Sequence, residues 1–165
     1  MRAASPPLLL TGVLVASVML GAVGCATSYA YRFEPASGGD SSAAPGHDGL
    51  VVLDDAAVLA EVQMSEDAVD LRLTNRTDDV LQVAWSKVVL ERGNGTRTAL
   101  HPEADLGWAP AGATLATRLV PFVLPRSGSR AAGYEGRLLA LVVPVVVRHE
   151  PRVLRFELIA HVRPL

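Results

Sequence analysis

The chain is poor in cysteine and in aromatic side chains. It has one cysteine among 165 residues, and 5% of its residues are aromatic. A single thiol excludes an internal disulfide, so a folded domain must be held together by packing. The formal net charge of −2 also lacks the basic excess that nucleic-acid-binding proteins usually carry. We therefore expect no nucleic-acid partner.

The motifs of common enzyme and metal sites are missing as well. No glycine-rich loop precedes a helical pattern, and Ser127 and Ser129 lack the context of a nucleophile elbow. Adjacent carboxylates occur at Asp54-Asp55, Glu66-Asp67 and Asp78-Asp79. Neighbours in an extended chain point to opposite faces, and these pairs do not have the spacing of a calcium loop. We expect no catalytic residue, no metal and no cofactor.

The N-terminal segment lacks the length of a membrane span. After Arg2, an apolar run extends from Leu8 to Leu20, and small residues then lead to Cys25. The run is shorter than the ~20 residues of a spanning helix. A positive end, an apolar stretch and small residues before a cut site are typical of a secretory signal peptide. We therefore expect residues 1–24 to form a helical signal peptide that is removed during export.

Ala22, Val23, Gly24 and Cys25 resemble the lipobox of bacterial lipoproteins, although Ala22 departs from the usual Leu. The resemblance implies that a signal peptidase recognises Ala22, Val23 and Gly24. It also implies that Cys25 becomes the lipid-modified first residue of the mature chain. Such lipoproteins carry two or three acyl chains, which anchor a protein firmly, whereas one chain binds membranes only marginally. In lipoproteins of enteric bacteria, an Asp after the cysteine retains the protein in the inner membrane. This chain has Ala26 at that position, which favours the outer membrane without excluding the inner one.

Residues 25–49 are rich in Ser, Ala, Gly, Pro and Asp. Such a composition buries too little apolar surface to offset the entropy of ordering, so we expect a flexible tether after the lipidated cysteine. Tyr29, Tyr31 and Phe33 alternate along this tether. They favour either aromatic contacts at the lipid headgroups, our slightly preferred alternative, or a short extra strand.

From residue 50 to the C-terminus, short strand patterns alternate with turns. Residues 69–91 read as a strand, a turn rich in Asn and Asp, and a second strand, which predicts a hairpin at the centre of the fold. Residues 152–163 have the longest alternation of apolar and polar side chains, which predicts an interior strand. Pro144 lies inside the preceding strand pattern and predicts a bulge or a sheet edge there. Residues 54–68 fit a strand or a helix. Seven or eight strands predict an all-β sandwich over residues 50–165.

Several turn, tryptophan and strand-end positions form a pattern across this domain. They are Asn75, Thr77, Trp85, Gly93–Gly95, His101, residues 139–144 and Phe156. The pattern resembles poorly characterised bacterial lipoproteins that have an immunoglobulin-like domain. The resemblance implies an immunoglobulin-like β-sandwich and no particular activity, because fold alone does not specify function.

Two surface features suggest how the domain functions. Trp108 lies in a loop rich in Pro and Gly, where it either packs over the end of the sandwich or contacts a partner. Charges between Glu34 and Asp70 are all acidic, and arginine dominates after Arg118. These charges either pair across the sheet or form a basic patch for an anionic membrane or glycan.

We therefore expect a non-catalytic binding or assembly module that is anchored in the cell envelope by lipid and meets an envelope protein. Edge strands of a sandwich can accept an extended segment of such a partner. Trp85, within a strand pattern, is expected in the core. The alternative is an envelope enzyme or metal-binding protein that uses His101, His149 or His161, although these imidazoles lack a zinc-site spacing.

Overall fold

The computed structural model describes residues 27–36, 49–104 and 107–165. Two antiparallel sheets, of seven and five strands, form most of these residues, which confirms the all-β sandwich. The strands are β1 Tyr29–Pro35, β2 Leu50–Asp54, β3 Val58–Met64, β4 Val69–Asn75, β5 Leu81–Val83, β6 Val89–Arg92, β7 Arg97–Ala99, β8 His101–Pro102, β9 Trp108–Ala109, β10 Thr114–Val120, β11 Arg137–Val147 and β12 Glu150–Pro164. The helical pieces are a 3-10 turn at Trp85–Lys87 and the single-turn helix α1 at Gly128–Ala132.

There are more strands than the seven or eight predicted because several are fragments. The strands β5, β7, β8 and β9 span two or three residues each and attach to the margins of longer strands. Too few residues are involved for an alternating pattern to be recognised. The helix α1 lies in the connection between β10 and β11.

In the seven-stranded sheet the order is β1-β12-β11-β5-β9, with β6 also beside β11 and β7 beside β6. The strand β12 is therefore flanked on both sides, as its long alternation predicted. The five-stranded sheet has the order β2-β3-β4-β10-β8. Inner side chains of both sheets form one core, in which Leu71, Leu141 and Phe156 are almost fully buried.

Pro144 occupies a local edge inside β11. Beside this strand, β6 pairs with Leu139–Val142 and β5 pairs with Val145–Val147, so Pro144 faces the gap between them. Its carbonyl accepts a hydrogen bond from the Ala84 N–H at 2.9 Å. In an antiparallel strand, the N–H and C=O of one residue point toward the same neighbouring strand. The N–H that Pro144 lacks would therefore point into the gap between β6 and β5, and its absence removes no hydrogen bond between paired strands.

The predicted hairpin over residues 69–91 is wrong. The strand β4 pairs with β3 and β10, whereas β5 pairs with β11 and β9 in the opposite sheet. Both strands alternate because both bury apolar side chains in the same core, from opposite sides. Alternation fixes which face of a strand is buried but not which strand lies beside it. The turn residues at 76–80 therefore cross between the sheets.

Residues 54–68 contain a strand, and the alternative of a helix is wrong. Burial alternates at every second residue along β3, which pairs with β2 on one side and β4 on the other. A period of two is that of a strand with one face in the core.

Residues 29–35 belong to the sandwich, so the predicted tether is wrong over this stretch. The strand β1 pairs with Leu158–Pro164 of β12, and Phe33 is 2% exposed. The alternating aromatics therefore form the extra strand rather than contacts at lipid headgroups. Residues 37–48 of the predicted tether lie outside the described residues.

Gly49, just before β2, is hydrogen-bonded to β1 of one sheet and to β3 of the other. Its N–H donates to the Phe33 carbonyl and its carbonyl accepts from the Met64 N–H, both at 2.8 Å. The φ angle is +78°, and an added Cβ would lie 2.1 Å from the Met64 carbonyl oxygen. Only glycine fits this position without displacing the backbone of β3.

Candidate functional site

The predicted lipidation motif, Ala22, Val23, Gly24 and Cys25, lies outside the described residues. Its role in signal-peptidase recognition and lipid attachment stays a prediction. Within the ranges that the structure describes, no helix has the length and apolar character needed to span a bilayer.

The three histidines of the alternative hypothesis lie apart from one another. His101 is on β8, His149 lies in the turn between β11 and β12, and His161 lies near the end of β12. His149 and His161 lie near opposite ends of β12, so they do not face each other across the last hairpin. His161 instead lies between Glu34 and Glu135, at 3.5 and 3.3 Å.

Metal-ligating side chains do not converge elsewhere in the described part of the chain, where no group of three or more His, Cys, Asp or Glu is arranged to hold a metal ion. Glu135 is instead bound locally. The Val162 N–H and, secondarily, His161 lower the pKa of its carboxyl below the usual range. The carboxylate thus stabilises the end of β12.

Late arginines pair with early acidic residues, as the cross-sheet alternative predicted. Arg118 lies opposite Asp70 in the β10–β4 register, and its Nε is 3.0 Å from the Asp70 carboxylate. Three further pairs also join distant parts of the chain. They are Arg126 with Glu66 at 3.0 Å, Arg148 with Asp78 at 3.2 Å and Arg152 with Asp55 at 3.2 Å.

Trp108 is exposed, so the alternative in which it packs over the end of the sandwich is wrong. Its side chain is 60% accessible on β9. In register, Trp108 lies opposite Gln82 of β5, which in turn lies opposite Val146 of β11. Trp85 behaves differently, since it is partly buried and packs against the core from the 3-10 turn.

The outer face of the seven-stranded sheet is unusually apolar around Trp108. Half-solvated antiparallel sheets normally place polar residues outward. Here Pro144 and Val146 are partly exposed on β11, and Val153, opposite Pro144 on β12, is 63% exposed. We refer to Gln82, Trp108, Pro144, Val146 and Val153 as the Trp108 face.

Asn75 holds the backbone next to Trp108. Its buried side-chain amide donates to the carbonyls of Asp79, Ala109 and Pro110 at 2.7, 3.1 and 3.1 Å. Its oxygen accepts from the Thr77 N–H at 3.0 Å and from the Thr77 hydroxyl at 2.7 Å. One residue therefore fixes both the crossover after β4 and the segment that follows Trp108.

A second candidate site lies at the other end of β11. It is a cavity of about 580 Å³ whose lining includes Arg92 of β6, Arg130 of α1 and Arg137 at the start of β11. We refer to it as the arginine cavity. Among its apolar lining residues, Leu124 and Leu139 are buried in the core, whereas Val123 is 73% exposed. The site thus combines cationic groups with an apolar surface.

Tyr134 and Tyr31 support the wall of the arginine cavity. The Arg92 Nε donates to the Tyr134 hydroxyl at 3.2 Å, and the Tyr134 ring meets the Tyr31 ring edge-on at 6.1 Å. The Tyr31 hydroxyl donates to the Pro125 carbonyl at 2.6 Å. Burial, with smaller effects of Tyr134 and Glu66, raises the pKa of Tyr31 to about 12.

Comparisons with known proteins do not identify a family. No protein-family model, no curated protein and no solved structure matches the chain. The resemblance to poorly characterised lipoproteins therefore stays a prediction, and the sandwich and its two candidate sites rest on the structure.

Proposed function

We propose that this chain is a membrane-anchored envelope lipoprotein whose immunoglobulin-like sandwich is a non-catalytic module for binding or assembly with another envelope protein. The anchor is Cys25, and the domain faces the periplasm or the exterior, with the outer membrane favoured. The observation that carries the binding role is the exposure of Trp108 within an apolar sheet face. Exposed apolar patches of this kind usually mark interaction sites.

The surroundings of the Trp108 face favour a protein as its partner. Arg148 pairs with Asp78, His149 lies beside Asp79, and Arg152 pairs with Asp55. An anionic membrane attracts unpaired cations, whereas these charges have both signs and are already paired. An aromatic centre with a polar rim is the usual composition of a protein interface.

Photo-crosslinking tests this proposal in bacteria that carry the full chain. The crosslinker p-benzoylphenylalanine is introduced at Gln82, beside Trp108 in register. The matched control is Ala116, which is exposed on β10 of the other sheet. We expect one discrete envelope protein at Gln82 and none at Ala116.

The same strain with Trp108→Ala should lose the crosslinked product by about tenfold, because buried aromatic anchors contribute most of the free energy of binding at interfaces. An equal yield at Ala116, or a yield that Trp108→Ala leaves unchanged, would show that this face is not the binding site.

The anchor is tested separately by Cys25→Ser. We expect labelled palmitate to enter the wild-type protein and not the variant, and the variant to leave the membrane fraction or stay unprocessed. A wild-type protein that takes up no palmitate would contradict the lipoprotein assignment while leaving the crosslinking result interpretable.

A further inference from the structure

Ion pairing divides the arginines of the described ranges into two groups. One group pairs with carboxylates and consists of Arg32, Arg72, Arg76, Arg97, Arg118, Arg126, Arg148, Arg152 and Arg155. The other has no carboxylate partner in those ranges and consists of Arg92, Arg130, Arg137 and Arg163. Three of these four line the arginine cavity.

The acidic residues next to the arginine cavity in sequence bind groups that do not line it. Glu91, next to Arg92 in sequence, pairs with Arg97 at 2.8 Å and Arg155 at 2.7 Å on the outer face of the sheet. Glu135, next to Tyr134, bonds to the Val162 N–H and to His161. Among the described residues, the lining of the cavity therefore has three arginines and no carboxylate.

The three guanidinium groups keep donors available. Arg92 uses Nε for the Tyr134 hydroxyl and Nη1 for the Thr98 hydroxyl. Arg137 uses Nε for the Gly133 carbonyl at 2.8 Å. The Arg130 side chain makes no hydrogen bond or ion pair within the described residues. Each guanidinium carries five N–H donors, so several remain on every one of them.

We propose that the arginine cavity binds a phosphate-bearing ligand. Like charges repel, so three cations gathered around one cavity are stabilised by an anion. A phosphate accepts paired hydrogen bonds from guanidinium groups and offers enough oxygens for several of them. The volume of about 580 Å³ lies in the range of small-molecule sites, roughly 300–1,000 Å³.

The apolar wall indicates that the phosphate carries an apolar group. The apolar surface that a ligand can reach is that of Val123, which lines the cavity and is 73% exposed, because Leu124 and Leu139 behind it are almost fully buried. Free phosphate and a lipid headgroup share the chemistry that the arginines recognise. Only a ligand with an attached chain also gains from contact with Val123.

Calorimetric titration of the full chain in a nonionic detergent tests the site. The probes are inorganic phosphate and dihexanoyl phosphatidic acid, with chloride at equal ionic strength as the reference. We expect saturable binding of a phosphate probe. Arg130→Ala and Arg137→Ala should each weaken that binding about tenfold or more, since hydrogen bonds to charged groups are among the strongest.

Arg148→Ala is the matched control, because Arg148 is exposed but paired with Asp78 at the other end of the sandwich. It should leave binding unchanged. Absence of saturable binding for both probes, or an equal loss in Arg148→Ala, would overturn the proposal.

Val123→Asp then separates the two ligand sources. If the ligand is a lipid, this variant weakens binding of dihexanoyl phosphatidic acid well beyond that of inorganic phosphate. If the ligand is free phosphate, both probes bind the wild-type chain equally. Circular dichroism of each variant establishes that it is folded, and all the substituted side chains are exposed in the structure.

Discussion

The polar side chains near the two ends of β11 differ in whether they have ionic or hydrogen-bond partners within the protein. Next to the Trp108 face, polar side chains have partners within the protein: Asn75 and Thr77 are buried and bonded to each other, and Arg148 pairs with Asp78. At the arginine cavity, the cations lie on an accessible wall and have neutral partners or none in the described ranges.

This difference separates two kinds of binding chemistry on one domain. Neutralised charges around an exposed tryptophan favour contact with another protein through apolar surface. Cations without counter-ions favour a small anion. Because the two sites lie at opposite ends of an eleven-residue strand, a partner and an anion can bind without competing. Substitutions at either end can therefore be interpreted independently.

The largest effect is expected from Asn75→Ala, which removes the buried amide at the Trp108 end. The Ala109 carbonyl would lose the buried hydrogen bond to this amide, and the Thr77 N–H and hydroxyl would lose their buried acceptor. The carbonyls of Asp79 and Pro110 would each lose one donor and keep another, the Thr77 hydroxyl and the Ala113 N–H. Each buried polar group without a partner costs about 1–3 kcal/mol, so we expect the free energy of unfolding to fall by ~3 kcal/mol. Urea unfolding monitored by tryptophan fluorescence measures this loss.

Asn94→Ala is the matched control from the arginine cavity. Asn94 accepts from the N–H two residues on, that of Thr96, at 3.0 Å, as Asn75 does from Thr77. Asn94 is exposed, so water replaces its hydrogen bond and we expect a loss below ~1 kcal/mol. Equal losses in the two variants would mean that burial does not distinguish the two ends.

The sequence predicts much of the fold because burial leaves a period of two. The interior position of β12 follows from alternation, and the local edge at Pro144 follows from the missing proline donor. The pairing of strands does not follow from the sequence. Buried and exposed side chains would alternate in the same way along β4 and β5 whether the two strands lay in one sheet or in two. The composition of residues 25–49 predicts a tether across β1, because the many small and polar residues outweigh its three aromatics.

The candidate sites were predictable to different degrees. Trp108 is conspicuous as a large aromatic among Pro and Gly, and its exposure needed only the structure to decide between two alternatives. Arg92, Arg130 and Arg137 come from three separate elements and have no common spacing. Their signal is the absence of nearby carboxylates in space, which depends on how the other arginines pair and is not visible along the chain.

A smaller effect is expected from Tyr31 at the arginine cavity, and only in alkali. Folding raises the pKa of Tyr31 to about 12, above the usual value near 10. Its contribution to stability is therefore complete below pH ~10 and is lost as the pH rises through 12, because the unfolded chain ionises first. Unfolding midpoints between pH 9 and 11.5 should fall less steeply in Tyr31→Phe than in the wild type.

Tyr134→Phe provides a graded comparison, since the Tyr134 hydroxyl contributes to the raised pKa of Tyr31. This variant should bring the absorbance titration of Tyr31 to lower pH while keeping the ring that meets it edge-on. A titration that is unchanged in Tyr134→Phe would leave burial and Glu66 as the causes of the raised pKa.

The smallest effect is expected from Arg118→Ala, which breaks a cross-strand pair away from both sites. The Arg118 Nε lies 3.0 Å from Asp70, and the hydrogen bond to that carboxylate raises the pKa of Arg118. Both side chains are about half exposed, so water and salt screen the pair and its loss should not measurably shift the urea midpoint. A clear destabilisation that added salt suppresses would instead show that surface pairs help to hold the five-stranded sheet. The paired arginines would then be structural, and the contrast with the cations of the arginine cavity would become sharper still.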